Sequence, residues 1–415
     1  MAEESLGNVL KWMSGNNDGS WIHAFNQREK RVVPPAIMVN DVPDVLLYVA
    51  GEGIQVINYH GGQRKLCLGE VQFLTMYGGL SKYVVYAGAA PGNKTFYLHT
   101  LFPEHKFILV DPSKFELWIN KKNASHRKVH HPDIVHLKNK YVCECHIEEM
   151  PASDYVKYIK SSKEKIFIIE DLMTNELAEY FKELSPLFIS DIRTNSSDNQ
   201  SEDTSPSNAD VLWNMAMQYS WINIMKPVMS HLKHRLIYFD SQNIDSTIIM
   251  DYMVADFDIA KSLGIDFIKN FNDRKTEYFD GDIYLQCFAR VKSTETRLVT
   301  DGKKTTFYDN DDFEARMYYF NTIYRSLVSH NNKYVKPEYG FDNCNDCALE
   351  AHIWEQYKIK SGSKKHVLDF VRDLNSLCKP LKLPFEYHGN FRSATTQYLI
   401  KFKDHKIAHP IQLKS

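Results

Sequence analysis

In the stretch "YVVYAGAAPGNKTFYL", residues 83–98, Gly88 and Gly92 bracket Ala89, Ala90 and Pro91 between the apolar run Val84 to Tyr86 and the apolar pair Phe96 and Leu98. Glycines placed between a strand and a helix start let backbone come close to a ligand. Asp111 ends the apolar run of "HKFILVDP", 23 residues after Gly88. That separation suits a βαβ unit whose second strand ends in an acid able to accept a ribose hydroxyl. The order Gly88-Ala89-Ala90-Pro91-Gly92 is not G-x-G-x-x-G, and Pro91 withholds one N–H from any phosphate cradle. The implied ligand is nucleotide-like but has no pyrophosphate.

Two cysteine groupings carry zinc-ligand residue types: "CECH" (Cys143, Cys145, His146) and "CNDC" (Cys344, Cys347). In a strand Cys143 and Cys145 share a face while His146 points away, so both groupings are read as free core thiols, as are Cys67, Cys287 and Cys378. Neither a Walker sequence nor a G-x-S-x-G nucleophile turn is present.

The elements that must position these residues follow from periodicity. "GGQRKLCLGEVQFLTMYGG" reads as a helix ending near Gly78 and Gly79. Strands follow at 83–87, in "HKFILVDP", over 141–149, over 165–171 and in "PLFISDIR", with a helix around 174–185. Such alternation predicts an α/β fold with a parallel, doubly wound sheet. Residues 194–208 are a polar loop, Ala209 to His231 read as one long helix, and the region after 243 reads as short strands and turns with a helix at 364–378. The simplest partition is a single decorated domain: an arm over 1–40, a main body over 41–385 with an insertion around 115–160, and a tail over 386–415. "RMYYFNTIY" is read as core.

The whole chain sets outer bounds. At 415 residues and 43% hydrophobic it can bury a full core. A formal charge of −2 gives no overall pull toward nucleic acid, which leaves local patches such as "KKNASHRKVHH" and Lys303–Lys304. Seven cysteines, an odd number in a long chain, indicate reduced thiols. No signal peptide opens the sequence and no run nears the ~18 to 20 apolar residues of a membrane span, so a cytoplasmic protein without a membrane partner is expected.

Seven segments, in order, carry a resemblance: "GGQRKLCLGE", "YAGAAPG", "FILVD", "FISDIR" with "SNADVL", "PVMSHLKHR", "STETRL" and "FEARMYYFN". Together, over about residue 55 to about residue 385, they resemble the poxvirus mRNA cap 2′-O-methyltransferase family, whose members also serve as the small subunit of the viral poly(A) polymerase. The resemblance implies a Rossmann-like fold that binds S-adenosylmethionine. The implied reaction methylates the ribose 2′-hydroxyl of the first nucleotide after a 7-methylguanosine cap. Gly88, Ala90 and Gly92 would lie against the methionine moiety, Asp111 would hold the ribose, and Gln63 and Leu172 would contact the cofactor, Leu172 beside the adenine.

By the same resemblance the catalytic tetrad is Lys65, Asp191, Lys233 and Glu295. Lys233 is the candidate base, Lys65 the second cation that favours its neutral form, Asp191 the group that orients the lysine beside the transferring methyl, and Glu295 the group that fixes the lysines. No metal is required. Each of these residues taken alone would read as an ordinary surface charge; their order carries the assignment.

For the cap, Tyr238 stands where the family has a stacking phenylalanine, and Asp240 and Glu314 match the carboxylates on the guanine edge. Lys292 departs from the pattern, standing where the family has a second stacking tyrosine, and Tyr48 is an upstream aromatic that could substitute. Arg193 and Arg235 would contact the RNA backbone. The implied partners are capped mRNA and a viral poly(A) polymerase catalytic subunit, in the host cytoplasm or virion of a large DNA virus. Two alternatives stand beside this reading: a non-catalytic RNA-binding polyadenylation subunit, and a 2′-O-methyltransferase acting on uncapped RNA.

Overall fold

The computed structural model describes residues 33–45, 61–119, 125–127, 131–138, 147–194, 206–239, 273–290, 293–325, 328 and 330–378. The chain forms two compact units. A sheet unit comprises Gly69–Asp282 and Thr296–Asn310; a helical unit comprises Met1–Leu68, Ile283–Glu295 and Asp311–Ser415.

In the sheet unit the strands are β1 (Tyr83–Ala87), β2 (Lys106–Val110), β3 (Ile134–Lys138), β4 (Ile147–Glu149), β5 (Ile166–Ile169), β6 (Leu187–Ser190), β7 (Met229–His234) and β10 (Thr296–Thr300). Their order is β4-β3-β5-β2-β1-β6-β7-β10. Every pair is parallel except β10, which runs antiparallel to β7. Strands β1, β5 and β6 are buried along their whole length. That is why "YVVYA", "IFII" and "LFIS" are continuous apolar runs without the alternation of a half-exposed strand. A separate ribbon pairs β8 (Lys275–Phe279) with β11 (Thr305–Asp309), and a short strand, β9 (Asp282–Tyr284), follows β8 along the chain. This is a mixed α/β fold with a large, mostly parallel central sheet, as a Rossmann-like methyltransferase fold requires.

The strand order determines where a ligand can sit. From β1 the chain first builds one side of the sheet (β2, β5, β3, β4), then returns to build the other (β6, β7, β10), so β1 marks the point where the winding reverses. Open α/β sheets bind ligands outside the carboxyl ends of strands at such a point. Three backbone bonds carry the parallel ladder one residue past the strand ends: Gly88 N–H to Val110 O (2.9 Å), Asp111 N–H to Ile169 O (3.2 Å) and Asp191 N–H to Ala87 O (2.9 Å). Gly88, Asp111 and Asp191 therefore lie on one edge, on adjacent strands.

The helical unit holds α7 (Asn345–Ser361) and α8 (Val367–Leu377), together with all but the first residue of α6 (Asn310–Tyr319). Ring stacking of Trp354 on Phe370 (4.9 Å, 10° between planes) joins α7 to α8. Two fully buried arginines are satisfied here. Arg64 meets Glu350 at 2.5 Å and donates to Asn375 at 2.6 Å, and Arg325 meets Asp346 at 2.8 Å and donates to the Ala289 carbonyl at 2.7 Å. Breaking either pair would strand a buried charge. Residues 33–40, read from sequence as the end of an arm, are tied into this unit by bridges Val33–His330 and Met38–Tyr284 and by Ala36 N–H donating to Asn345 (2.8 Å).

Several sequence expectations are corrected. The helix expected over Ala209 to His231 is α5 (Asn208–Met225) and stops there. Lys226 adopts a left-handed conformation (φ 48°) and Pro227 follows, so the chain turns and residues 229–234 form β7. Met229, Leu232 and Leu236 mimic a helical spacing, but the proline ring ends the helix first. The strand expected over 141–149 is seen as β4, with residues 141–146 outside the described residues, while β3 was not anticipated. Both strands lie in the region read as an insertion, where they extend the sheet edge. Beyond 300 the chain is richer in helix than expected, with α6 and α7 in addition to the anticipated α8. Met317, Tyr318, Tyr319 and Phe320 are buried, as read.

His231 and His234 are buried in β7, and burial pushes each down to about 3. Because the folded value lies below the free value, the unfolded chain binds more protons between about pH 3 and about 6.5. Their contribution is full above about pH 6.5 and declines as pH falls. At pH 5.5 each is expected to cost about 1.4 kcal/mol relative to pH 8. Urea denaturation across that range checks it, and His234→Gln should flatten the dependence.

Candidate active site

The turn after β1 is shaped by its glycines. Gly88 has φ +76°, and a Cβ there would lie 2.7 Å from both the Asp191 carbonyl carbon and the Ile192 nitrogen. Gly92 has φ +68° and sits against Phe115 and Leu117, whose side chains a Cβ would approach to 3.2 Å. Asp111 clamps the turn from β2, its Oδ2 accepting the Ala90 N–H at 3.1 Å and its Oδ1 the Ser113 N–H at 2.8 Å. Leu172, just past β5, is 61% exposed.

A buried polar group supports this turn from behind. Glu70, on α1 (Gly62–Tyr77), accepts the Tyr86 hydroxyl at 2.7 Å and pairs with Lys94 at 3.2 Å. Burial raises the Glu70 carboxyl, while Lys94 and Tyr86 pull it back. The same burial, with Glu70 alongside, pushes the Tyr86 hydroxyl well up. One carboxylate thus ties helix, strand and turn together, and sequence reading passed over it.

Asp191 follows β6, and two cations converge on its Oδ1: Arg297 at 2.8 Å and Lys233 at 3.5 Å. Lys233 on β7 and Arg297 on β10 are direct cross-strand partners, so their side chains rise from the same face of the sheet. Two like charges opposed across a ladder repel, and the carboxylate between them offsets that repulsion. Arg297 is nearly closed off (side chain 3% exposed), whereas Lys233 and Asp191 remain partly open at 20% and 15%. His231, two residues before Lys233 on the same face, stacks on Phe73 of α1 (5.1 Å) and stays neutral, burial and Arg297 both holding its ring unprotonated. Sequence reading missed Arg297. Its signal was available: it stands two residues after Glu295 in an extended "STETRL" run.

In the helical unit Lys65 and Glu295 form an ion pair at 2.5 Å, with side chains 12% and 20% exposed. Gln286 holds Glu295 in place, donating to its carbonyl at 2.9 Å and to its carboxylate at 3.2 Å. Gln63, two residues before Lys65 on α1, is exposed. The four expected tetrad residues are thus found as two ion pairs, Asp191–Lys233 in one unit and Lys65–Glu295 in the other.

Of the expected cap residues, Tyr238 is held in the sheet unit by two bonds with Asn208 (3.2 and 3.0 Å). The Arg235 guanidinium lies 4.5 Å over its ring, so a residue expected on the RNA backbone here stacks on the residue expected on the cap. Arg193 is exposed beyond β6, and Glu314 is half-buried on α6. Asp240, Lys292 and Tyr48 lie outside the described residues.

The family model described as Poly A polymerase regulatory subunit matches residues 158–372, more than half of the sequence. The chain belongs to that family. It is also similar to two curated proteins named cap-specific mRNA (nucleoside-2′-O-)-methyltransferase, from Myxoma virus strains Lausanne and Uriarra. Each is 25% identical over 360 residues, covering 83% of this chain and 83% of the relative. The regulatory-subunit match spans Asp191, Lys233, Glu295 and Arg297 but begins after the Gly88 turn and Asp111. Among the described residues no helix is long and apolar enough to cross a membrane.

Replacing Gly88 with alanine should destabilise the chain by about 1–3 kcal/mol, since the backbone conformation and the Asp191 contact both oppose a side chain. Gly79→Ala, with nothing within 4 Å of the added carbon, should leave stability within about 0.5 kcal/mol of the parent. Urea midpoints of the two variants decide.

Proposed function

We propose that this protein methylates the ribose 2′-hydroxyl of the first transcribed nucleotide of 7-methylguanosine-capped mRNA, using S-adenosylmethionine. The observation that carries the reading is Asp191, set at the winding reversal beside the glycine turn and flanked by Lys233 and Arg297. The residues around the turn fit such a cofactor. A nucleoside joined to an amino acid needs a close backbone approach and a ribose acceptor, which Gly88, Ala90, Gly92 and Asp111 provide, and it needs no phosphate cradle. Gln63 and Leu172 complete the proposed contacts.

When bound, S-adenosylmethionine supplies a sulfonium methyl that is already electrophilic. What remains for the protein is to align a weakly acidic alcohol and receive its proton. Lys233 Nζ takes the 2′-hydroxyl proton as the oxygen attacks. Asp191 orients the amine, and Arg297 pairs with Asp191 and holds it in place. Lys65, fixed by Glu295, is proposed to steady the ribose.

Tyr238, with Asp240 and Glu314, is proposed to receive the guanine. The Arg235 guanidinium lies over the Tyr238 ring, which shows that this ring can take a cation on its face, as a methylated guanine would require. Arg193 is proposed to meet the RNA backbone.

The family description favours a second role at the protein level, as the regulatory partner of a poly(A) polymerase catalytic subunit, consistent with a large DNA virus working in the host cytoplasm. In this reading methyl transfer and polymerase support are separable.

Transfer of labelled methyl to RNA bearing a 7-methylguanosine cap is expected to exceed transfer to RNA with an unmethylated cap or none. Lys233→Ala is expected to lower the rate by about 10²–10⁴-fold. Wild-type rates in Lys233→Ala would defeat the proposed chemistry, and equal rates on uncapped RNA would favour the uncapped-RNA alternative. Lys233→Ala should still lengthen the tails made by the polymerase subunit, as read by product size.

A further inference from the structure

At the start of α7, Asp342, Cys344 and Cys347 bring a carboxylate oxygen and two sulfurs within 4.8 Å of one another. Cys344 is the N-cap of the helix and Cys347 lies one turn in, so both sulfurs sit where the helix N-terminus favours negative charge. Backbone bonds hold the ligand atoms. The Cys347 N–H donates to Cys344 Sγ at 3.5 Å, and the Cys344 N–H donates to Asp342 Oδ1 at 2.8 Å. The Asp342 carbonyl accepts from Asn332 Nδ2 at 2.9 Å, which anchors the loop from its other side. Among the described residues no lysine or arginine pairs with Asp342.

We propose that Asp342, Cys344 and Cys347 bind a zinc ion, with water in the fourth position. Tetrahedral zinc with Zn–S of about 2.3 Å and Zn–O of about 2.0–2.2 Å sets its ligands roughly 3.3–3.8 Å apart, so the three atoms need to draw in by at most about 1.5 Å. Two thiolates select zinc over magnesium or calcium. Both thiol protons leave on binding, including the one Cys347 directs at the Gly340 carbonyl (3.8 Å), and the site ends with a net charge of one negative. Asp342 and Cys344 are partly exposed, which admits the water; Cys347 is buried. His330 does not supply the fourth ligand, because its ring nitrogens face the Pro34 and Tyr324 carbonyls at 3.2 and 3.3 Å. The role is structural. The ion would pin the loop to the helix that carries Asp346 in its first turn and Glu350 in its second, the partners of Arg325 and Arg64.

The test uses the full chain. Metal analysis after purification without chelator, and titration with cobalt(II) as a spectroscopic probe, should show bound zinc and a thiolate-to-cobalt charge-transfer band. Cys344→Ser and Cys347→Ser should each diminish the band, while Asp342→Asn should keep it but require more cobalt to saturate. Zinc should raise the melting temperature of the wild-type chain and magnesium should not. A wild-type chain with no such band overturns the proposal whether or not the variants fold. So does a band undiminished in both cysteine variants, or an equal shift with magnesium.

Discussion

A single carboxylate held between two cations organises the centre of the sheet unit. Lys233 and Arg297 face each other across an antiparallel ladder, an arrangement that repels without an anion between them. Asp191 supplies that anion only because β6 ends one residue before it and its amide continues the ladder onto β1. Position and charge are thus fixed by one feature, the C-terminal edge of a parallel sheet. The same edge places the Gly88 turn and Asp111 beside it, so the proposed cofactor site and the proposed base share one frame.

Each unit adds its own preorganisation. In the sheet unit these groups stand on buried support: His231 neutral against Phe73, and Glu70 gripping Tyr86 and Lys94. In the helical unit Gln286 holds Glu295, which in turn holds Lys65. The charged side chains are positioned by neighbours that are themselves hydrogen-bonded, which is how a site keeps its geometry without water to reorganise. The chain crosses between the units at Leu68–Gly69, Asp282–Ile283, Glu295–Thr296 and Asn310–Asp311.

Much of this was legible in the residues. Continuous apolar runs ending in Gly88, Asp111 and Asp191 announced buried parallel strands and their functional ends, because full burial leaves no alternation to mislead. Legibility failed where the signal depended on pairing across the chain. Arg297 gains its meaning from lying opposite Lys233, a register that no local pattern encodes. The first half of strand β7 was read as the tail of α5, since Met229 and Leu232 keep a helical spacing and only Pro227 argued otherwise. Glu70 looked like one more helix-surface acid until Tyr86 and Lys94 were found against it. The Asp342–Cys344–Cys347 grouping is not legible in "CNDC" alone, because its third ligand type is an acid two residues upstream of that motif.

Asp111 illustrates how closely ligand recognition and scaffold are joined here. Both its oxygens already hold backbone amides, at Ala90 in the turn and at Ser113 beyond the strand. Any ligand hydroxyl that it accepts adds to a carboxylate already committed to the loops on either side. Truncating this side chain therefore unfastens two loops as well as deleting a contact. The resulting loss of affinity would overstate what the ligand itself gains from the residue, and a ligand that fills the site would protect the Ala90 and Ser113 amides from exchange with solvent.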